Sequence, residues 1–478
     1  MTTRPPFDPW LAAQATSEVA AVSTLDTQAL SALQARRLHR LLTAAQSSPL
    51  YRERMAGHDL AALRLQDLPI VHKAELMHRF SDWVTDPAVT LEALQRFTAD
   101  PTQIGDPFLG RYTVWESSGS SGEPGIFIQD AAAMAVHDAL ECLRRPTLRP
   151  YQKLLDPWAL SDTMAFVGAT GGHFASTVSV ERLRRLNPML APRLHSVSFL
   201  QPLRQLVAQL EGIQPTVLAT YPSMAVLLAA EALAGRLHLS PQEIWTGGEN
   251  LSPGMRRFIS DTWGCPVADS YGASEFLSMA SECRHGHLHL NSDWVLLEPL
   301  DAHGQPVPPG QASESVLLTN LANLVQPLIR YELGDRITLH DQRCACGSVL
   351  PVIEVNGRHQ DSLRVGAPGQ RRVTLLPLAI STVLEEQAGL FDFQLVQQGP
   401  QDLTLHTGLR SVVSADTVDR ACAVLAEFLT QQGAHGVRIH HSSTAQAAVP
   451  LGPSGKAQRL VPLRRPQALT STTTRPRT

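Results

Sequence analysis

The chain has 478 residues, 43% hydrophobic and 18% charged, which is enough to bury more than one core and too apolar for a largely disordered or fibrous protein. Its 40 basic and 44 acidic side chains leave a formal net charge of -4, so electrostatics gives no case for a nucleic-acid partner. Six cysteines are too few for a disulfide scaffold, and no apolar run approaches the ~18 residues of a membrane span; with no apolar stretch behind a basic start, a secretory signal is not expected, and a cytoplasmic protein is the expectation.

In chain order, residues 1–95 read mainly as helix, with Leu recurring at helical spacing over 29–38. A Gly/Ser-rich stretch at 117–125 interrupts the pattern. Strand-like and helical runs then alternate to about residue 300: a buried strand at 216–220, a helix at 222–234, and further strands at 267–271 and 294–298. That alternation predicts an α/β architecture with an open sheet. The Pro- and Gly-rich 299–310 reads as a loop. A boundary is expected at 357/358, giving a large domain over 1–357 and a small α+β domain over 358–478. The small domain carries a strand at 393–396 and a helix at 416–432, and the tail from about 467 to 478 is expected to be disordered.

Several short segments carry chemistry. Ser117, Ser118, Gly119, Ser120, Ser121 and Gly122 form a loop whose amides and hydroxyls can wrap phosphate oxygens. It is not a Walker loop, because no Gly-Lys-Ser/Thr follows and Gly125 stands where a basic residue is expected. Gly247, Gly248 and Glu249 follow a strand; about twenty residues on come Asp269, Tyr271, Gly272, Ser274 and Glu275. A tyrosine face, a glycine permitting close approach and a carboxylate for Mg²⁺ suit a nucleotide pocket. Asp335 ends Tyr331-Glu332-Leu333-Gly334-Asp335, Arg358 follows Gly357, and Lys456 closes a Gly-Pro-Ser-Gly-Lys turn. His173, Tyr221 and Pro222 are candidates for lining a substrate pocket. Cys283, the nearby His287 and His289, and the pair Cys344 and Cys346 offer soft ligands for a closed, structural tetrahedral Zn²⁺ site, with either histidine as the fourth ligand. Cys142, Cys265 and Cys422 have no partner by spacing and are expected in the core.

In their order and spacing these segments resemble the adenylate-forming superfamily of acyl- and aryl-CoA synthetases, and among them the phenylacetate–CoA ligase branch. The resemblance spans residues 50–460. It implies a large N-terminal domain and a small mobile cap hinged after Gly357-Arg358. ATP, Mg²⁺ and coenzyme A would be used on a small carboxylic acid, an aromatic one by preference, with a homodimer as the assembly. The 117–122 loop would hold the β- and γ-phosphates, and Gly247, Gly248 and Glu249 would border the adenine. Tyr271, in the stretch from Asp269 to Gly272, would stack on the adenine. Ser274 would lie near the α-phosphate, Glu275 would hold Mg²⁺, Asp335 would bind the ribose with Arg358 nearby, and Lys456 would approach the reacting carboxylate. Among the histidines, the resemblance favours His289. Departures fall at Gly125, at Glu332 where a basic residue is usual, at Gln360 where the hinge is commonly acidic, and over 364–372. Two rival readings are an adenylate-forming enzyme that serves an amine or carrier-protein thiol, and a catalytically silent homologue that binds a ligand.

Overall fold

A computed structural model of the chain describes residues 5–60, 62–117, 125–146, 148–156, 160–199, 201, 203–358, 363–366, 372–375, 380, 383–408, 412–443 and 459–461. Ser118, Gly119, Ser120, Ser121, Gly122, Gln360 and Lys456, with most of 364–372 and the 467–478 tail, lie outside the described residues. The chain divides into two compact units, one of residues 1–359 with 450–457 and the other of residues 360–449 with 458–478.

The larger unit opens on helices, as the leucine spacing predicts. Pro9–Ala21 is capped by Asp8 and Thr27–Ala45 by Asp26, whose carboxylates accept the first free amides. Arg37, only 5% exposed, ties both helices to the turn that precedes Val295. It donates to the Asp293 carbonyl at 2.6 Å and to Glu18 at 2.9 Å, and its guanidinium lies 3.3 Å from the centroid of the Trp294 ring.

Among the described residues, nine strands form one sheet. One half is parallel: Leu194–Ser198, Met164–Gly168, Val217–Thr220, Glu243–Gly247 and Val267–Ala273, in that spatial order. Helices such as Pro222–Leu233 and Pro253–Trp263 link the later ones in the alternating manner of an α/β fold. The other half is antiparallel and adds Phe276–Glu282, Leu288–Leu290, Val352–Arg358 and Asp335–His340. Strands Met164–Gly168 and Val217–Thr220 are almost entirely buried, as strands of a parallel sheet covered on both faces are.

A separate three-stranded sheet holds Val295–Leu300, Ser315–Asn320 and Tyr331–Glu332. The first strand runs two residues into the segment expected as loop. Pro299 is tolerated there because its strand is an edge, where a missing amide costs no ladder bond. Cys265 is buried as expected, but Cys142 is exposed: it lies on the outward face of helix Ala131–Arg144, which turns Met134, His137 and Leu140 inward.

The smaller unit has the α+β composition expected of it. Phe393–Gly399 and Asp402–Thr407 form an antiparallel hairpin flanked in parallel by Leu460–Val461 and Arg438–Ser443. Helix Ala415–Gln431, capped by Ser414, buries Val418, Ala421, Leu425 and Leu429 on a single face. Cys422 packs partly buried against that core. Among the described residues, no helix is long and apolar enough to cross a membrane.

One glycine sets how closely two strands can pass. A Cβ on Gly272 would lie 1.8 Å from the Leu277 carbonyl oxygen, a backbone atom with no room to retreat. Gly272→Ala is expected to cost about 1–3 kcal/mol in urea unfolding. Gly212→Ala, at a helical glycine whose Cβ would meet nothing within 4 Å, should be neutral or stabilising.

Candidate active site

The carboxyl ends of the parallel strands, the usual ligand-binding edge of such a sheet, carry most of the residues singled out above. Strand Glu243–Gly247 delivers Gly247 and Gly248, the latter at φ +75°. Gly247 is required by close approach: a Cβ there would come within 2.8 Å of Ser270 Oγ on the neighbouring strand. Glu249 Oε2 accepts from the amide of Ser223, at the N-terminus of helix Pro222–Leu233, at 3.1 Å. Its Oε1 is buried without a protein partner. Tyr221 caps that helix and packs on Phe199 with ring centroids 5.8 Å apart. His173 is buried against Phe97, and its carbonyl accepts the Glu116 amide at 2.7 Å.

Segments more than fifty residues apart meet at two buried phenols. Tyr271 Oη donates to Asp335 Oδ2 at 2.7 Å, and Tyr331 Oη donates to Glu275 Oε1 at 2.8 Å. The turn holding Ser274 and Glu275 is pinned through its backbone: Trp115 Nε1 donates to the Ser274 carbonyl at 2.8 Å and Asn320 Nδ2 to the Glu275 carbonyl at 3.0 Å. Tyr331, Trp115 and Asn320 were not singled out for a role by the sequence. Tyr331 lay inside a motif already recognised, whereas nothing local to Trp115 or Asn320 marks them. Asp335 faces Arg358 as a backbone pair across the strands they begin and end.

The Ser/Gly loop proves to be the connection of a β-hairpin, Thr113–Glu116 with Ile126–Gln129. Its base is closed by reciprocal bonds, Ser117 N to the Gly125 carbonyl and Gly125 N to Ser117 Oγ, both 2.7 Å. Lys73 comes up against Gly125, where a Cβ would sit 3.3 Å from the lysine Cδ. Glu332 points away from the site chemistry: His72 Nδ1 lies 2.9 Å from Glu332 Oε2, and Ser315 donates to Oε1 at 3.0 Å.

Asp269 takes a supporting position. Its Oδ1 accepts from Thr246 Oγ1 at 2.8 Å, and its amide donates to Glu282 Oε2 at 2.6 Å. Burial, with the Glu282 carboxylate beside it, pushes the Asp269 carboxyl up to about 7, against the opposing pull of Thr246 and Arg256. Burial also pushes His137 down to about 4; this neutral ring packs edge-on against Phe276, 4.7 Å between centroids, directly after Glu275 in the chain.

Cys283, His289, Cys344 and Cys346 bring their ligand atoms within 4.8 Å of one another. Cys283 Sγ and Cys344 Sγ are 3.8 Å apart, and Cys346 Sγ is 3.3 Å from His289 Nε2. Zinc–sulfur bonds of about 2.3 Å at tetrahedral angles put two thiolates about 3.8 Å apart. His289 Nδ1 pairs with the Leu350 carbonyl at 2.8 Å, which leaves Nε2 as the ligand atom. Backbone amides of His285, Cys346 and Ser348 point at the sulfurs of Cys283, Cys344 and Cys346. The residues fit a closed four-ligand zinc site, and the histidine in the cluster is His289, not His287.

No family model matches the chain. Protein CapK of Staphylococcus aureus is 26% identical over 159 residues, 33% of this chain and 33% of CapK, so the matched stretch spans a third of that relative's length. Among solved structures, 2-hydroxyisobutyryl-CoA ligase in its postadenylation state, complexed with R3-HIB-AMP, superposes with a TM-score of 0.61 at 20% identity, covering 90% of this chain and 89% of the ligase. The same ligase in its thioesterification state, with 2-HIB-AMP and CoA, gives 0.52 at 20% identity, covering 92% and 91%.

The chain has the fold of the adenylate-forming CoA ligases. Tyr271 meets Asp335, and Glu275 meets Tyr331, across motifs that the sequence separates.

The raised Asp269 value has a defined sign. The folded state keeps the proton to about pH 7, whereas an unfolded aspartate releases it near 3.9. Its contribution is therefore complete below about pH 4 and lost as pH rises through about 7. Between those limits the wild type should lose stability relative to Asp269→Asn, read from urea midpoints at each pH. A constant difference across the window would contradict the shift.

Proposed function

We propose that the chain is an ATP- and Mg²⁺-dependent ligase that activates a small carboxylic acid, aromatic by preference, as its acyl-adenylate and transfers the acyl group to coenzyme A. The observation that carries this reading is the convergence of Glu275–Tyr331 and Tyr271–Asp335, two buried carboxylates each held by a phenol, on the ligand edge of an adenylate-forming fold. A nucleotide site needs acceptors for ribose hydroxyls and a hard oxygen ligand for magnesium, and Asp335 and Glu275 are carboxylates of that kind.

The remaining roles follow the same order. Glu249 Oε1, buried and unpaired, is an acceptor for a ligand N–H beside the Gly247-Gly248 turn. Gly247 and Gly248 border the adenine, Tyr271 lies along it, and Ser274 lies near the α-phosphate. The hairpin loop 117–122 receives the β- and γ-phosphates through backbone amides and hydroxyls, its ends set by the Ser117–Gly125 bonds. Arg358 adds positive charge near the ribose. Magnesium, held by Glu275, would neutralise phosphate charge.

A carboxylate is a poor acyl donor because its leaving group would be oxide. Its oxygen attacks the α-phosphorus as the bond to pyrophosphate breaks, giving the mixed anhydride. Lys456 offers a compact cation to the charge that builds on the non-bridging oxygens. A thiolate then attacks the acyl carbon, and the bond to AMP breaks. In this reading Lys456 approaches for the first step and is withdrawn before the second.

Pyrophosphate release over a panel of aryl and short alkyl acids, with and without CoA, tests this. Acid-dependent release with thioester formation is expected; no acid-dependent release overturns the reading, and adenylate that accumulates despite CoA would make the acceptor an amine or a carrier thiol. Lys456→Ala should lower adenylation at least a hundredfold while sparing thioester formation from supplied acyl-adenylate.

The four-ligand cluster is proposed to hold one structural Zn²⁺. Elemental analysis should give one zinc per chain, and Cys344→Ser with Cys346→Ser should abolish it and lower the melting temperature.

A further inference from the structure

The metal cluster and the nucleotide-bordering strands share one buried carboxylate. Glu282 directly precedes Cys283 and is 5% exposed. Its Oε2 accepts the Asp269 amide at 2.6 Å and Arg256 Nη2 at 2.9 Å, while Arg256 Nη1 donates to the Val267 carbonyl at 2.6 Å. Asp269 in turn accepts from Thr246, and Gly247 is the next residue. An unbroken run of hydrogen bonds and peptide links therefore joins Cys283 to the start of strand Val267–Ala273 and to the Gly247-Gly248 turn.

Topology places the same elements in a lever-like relation. The cluster's ligands come from the closed ends of two hairpins: Phe276–Glu282 with Leu288–Leu290, and Asp335–His340 with Val352–Arg358. Glu275 precedes the first strand of one hairpin, and Asp335 and Arg358 face each other across the open end of the other. Strand Val352–Arg358 pairs with Leu288–Leu290, so the hairpins are neighbours in the sheet.

We propose that Glu282 is a positioning residue through which metal occupancy of the Cys283–His289–Cys344–Cys346 cluster sets the affinity of the site for an adenine nucleotide. This rests on the nucleotide reading under Proposed function. Removing the metal leaves three cysteine sulfurs and an imidazole crowded together with no cation to hold them. The Cys283 turn relaxes, and Glu282 shifts in a close-packed interior that transmits small displacements. The amide of Asp269 and the side chain of Arg256 lose their shared acceptor, and both nucleotide-bordering turns loosen.

The experiment is a two-by-two cycle: wild type and Glu282→Gln, each with zinc and after chelation, titrated with AMP by calorimetry, with zinc re-addition as the reversal. Chelation should weaken AMP binding to the wild type about tenfold. Glu282→Gln should retain its zinc yet bind AMP about tenfold more weakly, and chelation should then add less than about twofold, because both changes cut the same link. AMP affinity unchanged by chelation in the wild type, or equal losses in both proteins, overturns the proposal.

Should Glu282→Gln not fold, amide exchange of the wild type decides the matter. Asp269 should exchange at least about tenfold faster after chelation, while Val217–Thr220 in the same sheet keeps its protection. Equal protection at Asp269 before and after chelation overturns the relay. A zinc-loaded wild type that binds no AMP would instead defeat the nucleotide reading, and the exchange result would still judge the role of Glu282.

Discussion

Two phenol–carboxylate hydrogen bonds, Tyr271 to Asp335 and Tyr331 to Glu275, are the constraint on which the candidate site depends. Each puts a carboxylate in a buried setting where it would be costly without a donor. Each also joins chain segments that share no strand pairing of their own. Both pairs draw on strands outside the parallel half: Asp335 opens one of the antiparallel strands, and Tyr331 lies in the small Tyr331–Glu332 strand. A conventional parallel sheet supplies glycines and strand ends; here the added strands supply the acids.

The close approaches follow from that constraint. Gly272 and Gly247 are glycines because backbone or a neighbouring Ser270 occupies the space a Cβ would take. Trp115 and Asn320 hold the Ser274–Glu275 turn by its carbonyls, and Tyr331 holds the Glu275 side chain. The hairpin that closes through Ser117 and Gly125 sets both ends of the Ser/Gly loop. The departures from the family pattern are accommodated locally. Glu332 is taken up by His72 and Ser315, and Gly125 leaves space into which Lys73 reaches.

Much of the architecture was legible in the chain. Leucine spacing predicted the leading helices, and alternating apolar runs predicted the α/β sheet, because both depend on periodicities of 3.6 and 2 that neighbours in sequence display. Cys344 and Cys346, one residue apart, pointed to the cysteine–histidine cluster that the fold assembles. The exposed position of Cys142 and the two strand residues inside the 299–310 loop were not legible, since helix rotation and edge status depend on what packs alongside.

The sequence by itself determined the order of the motifs, the glycine positions and the set of candidate metal ligands, because those are matters of residue type and spacing. The resemblance already favoured His289 over His287, and the tertiary structure brought its Nε2 to Cys346, because His289 stands within strand Leu288–Leu290 whereas His287 precedes it. Only the tertiary structure decided that Tyr331 donates to Glu275 and that Glu282, next to Cys283, accepts the Asp269 amide. Those pairings join residues 13 to 57 apart, and contacts over such separations are set by the packing of whole strands, which no local stretch of sequence encodes.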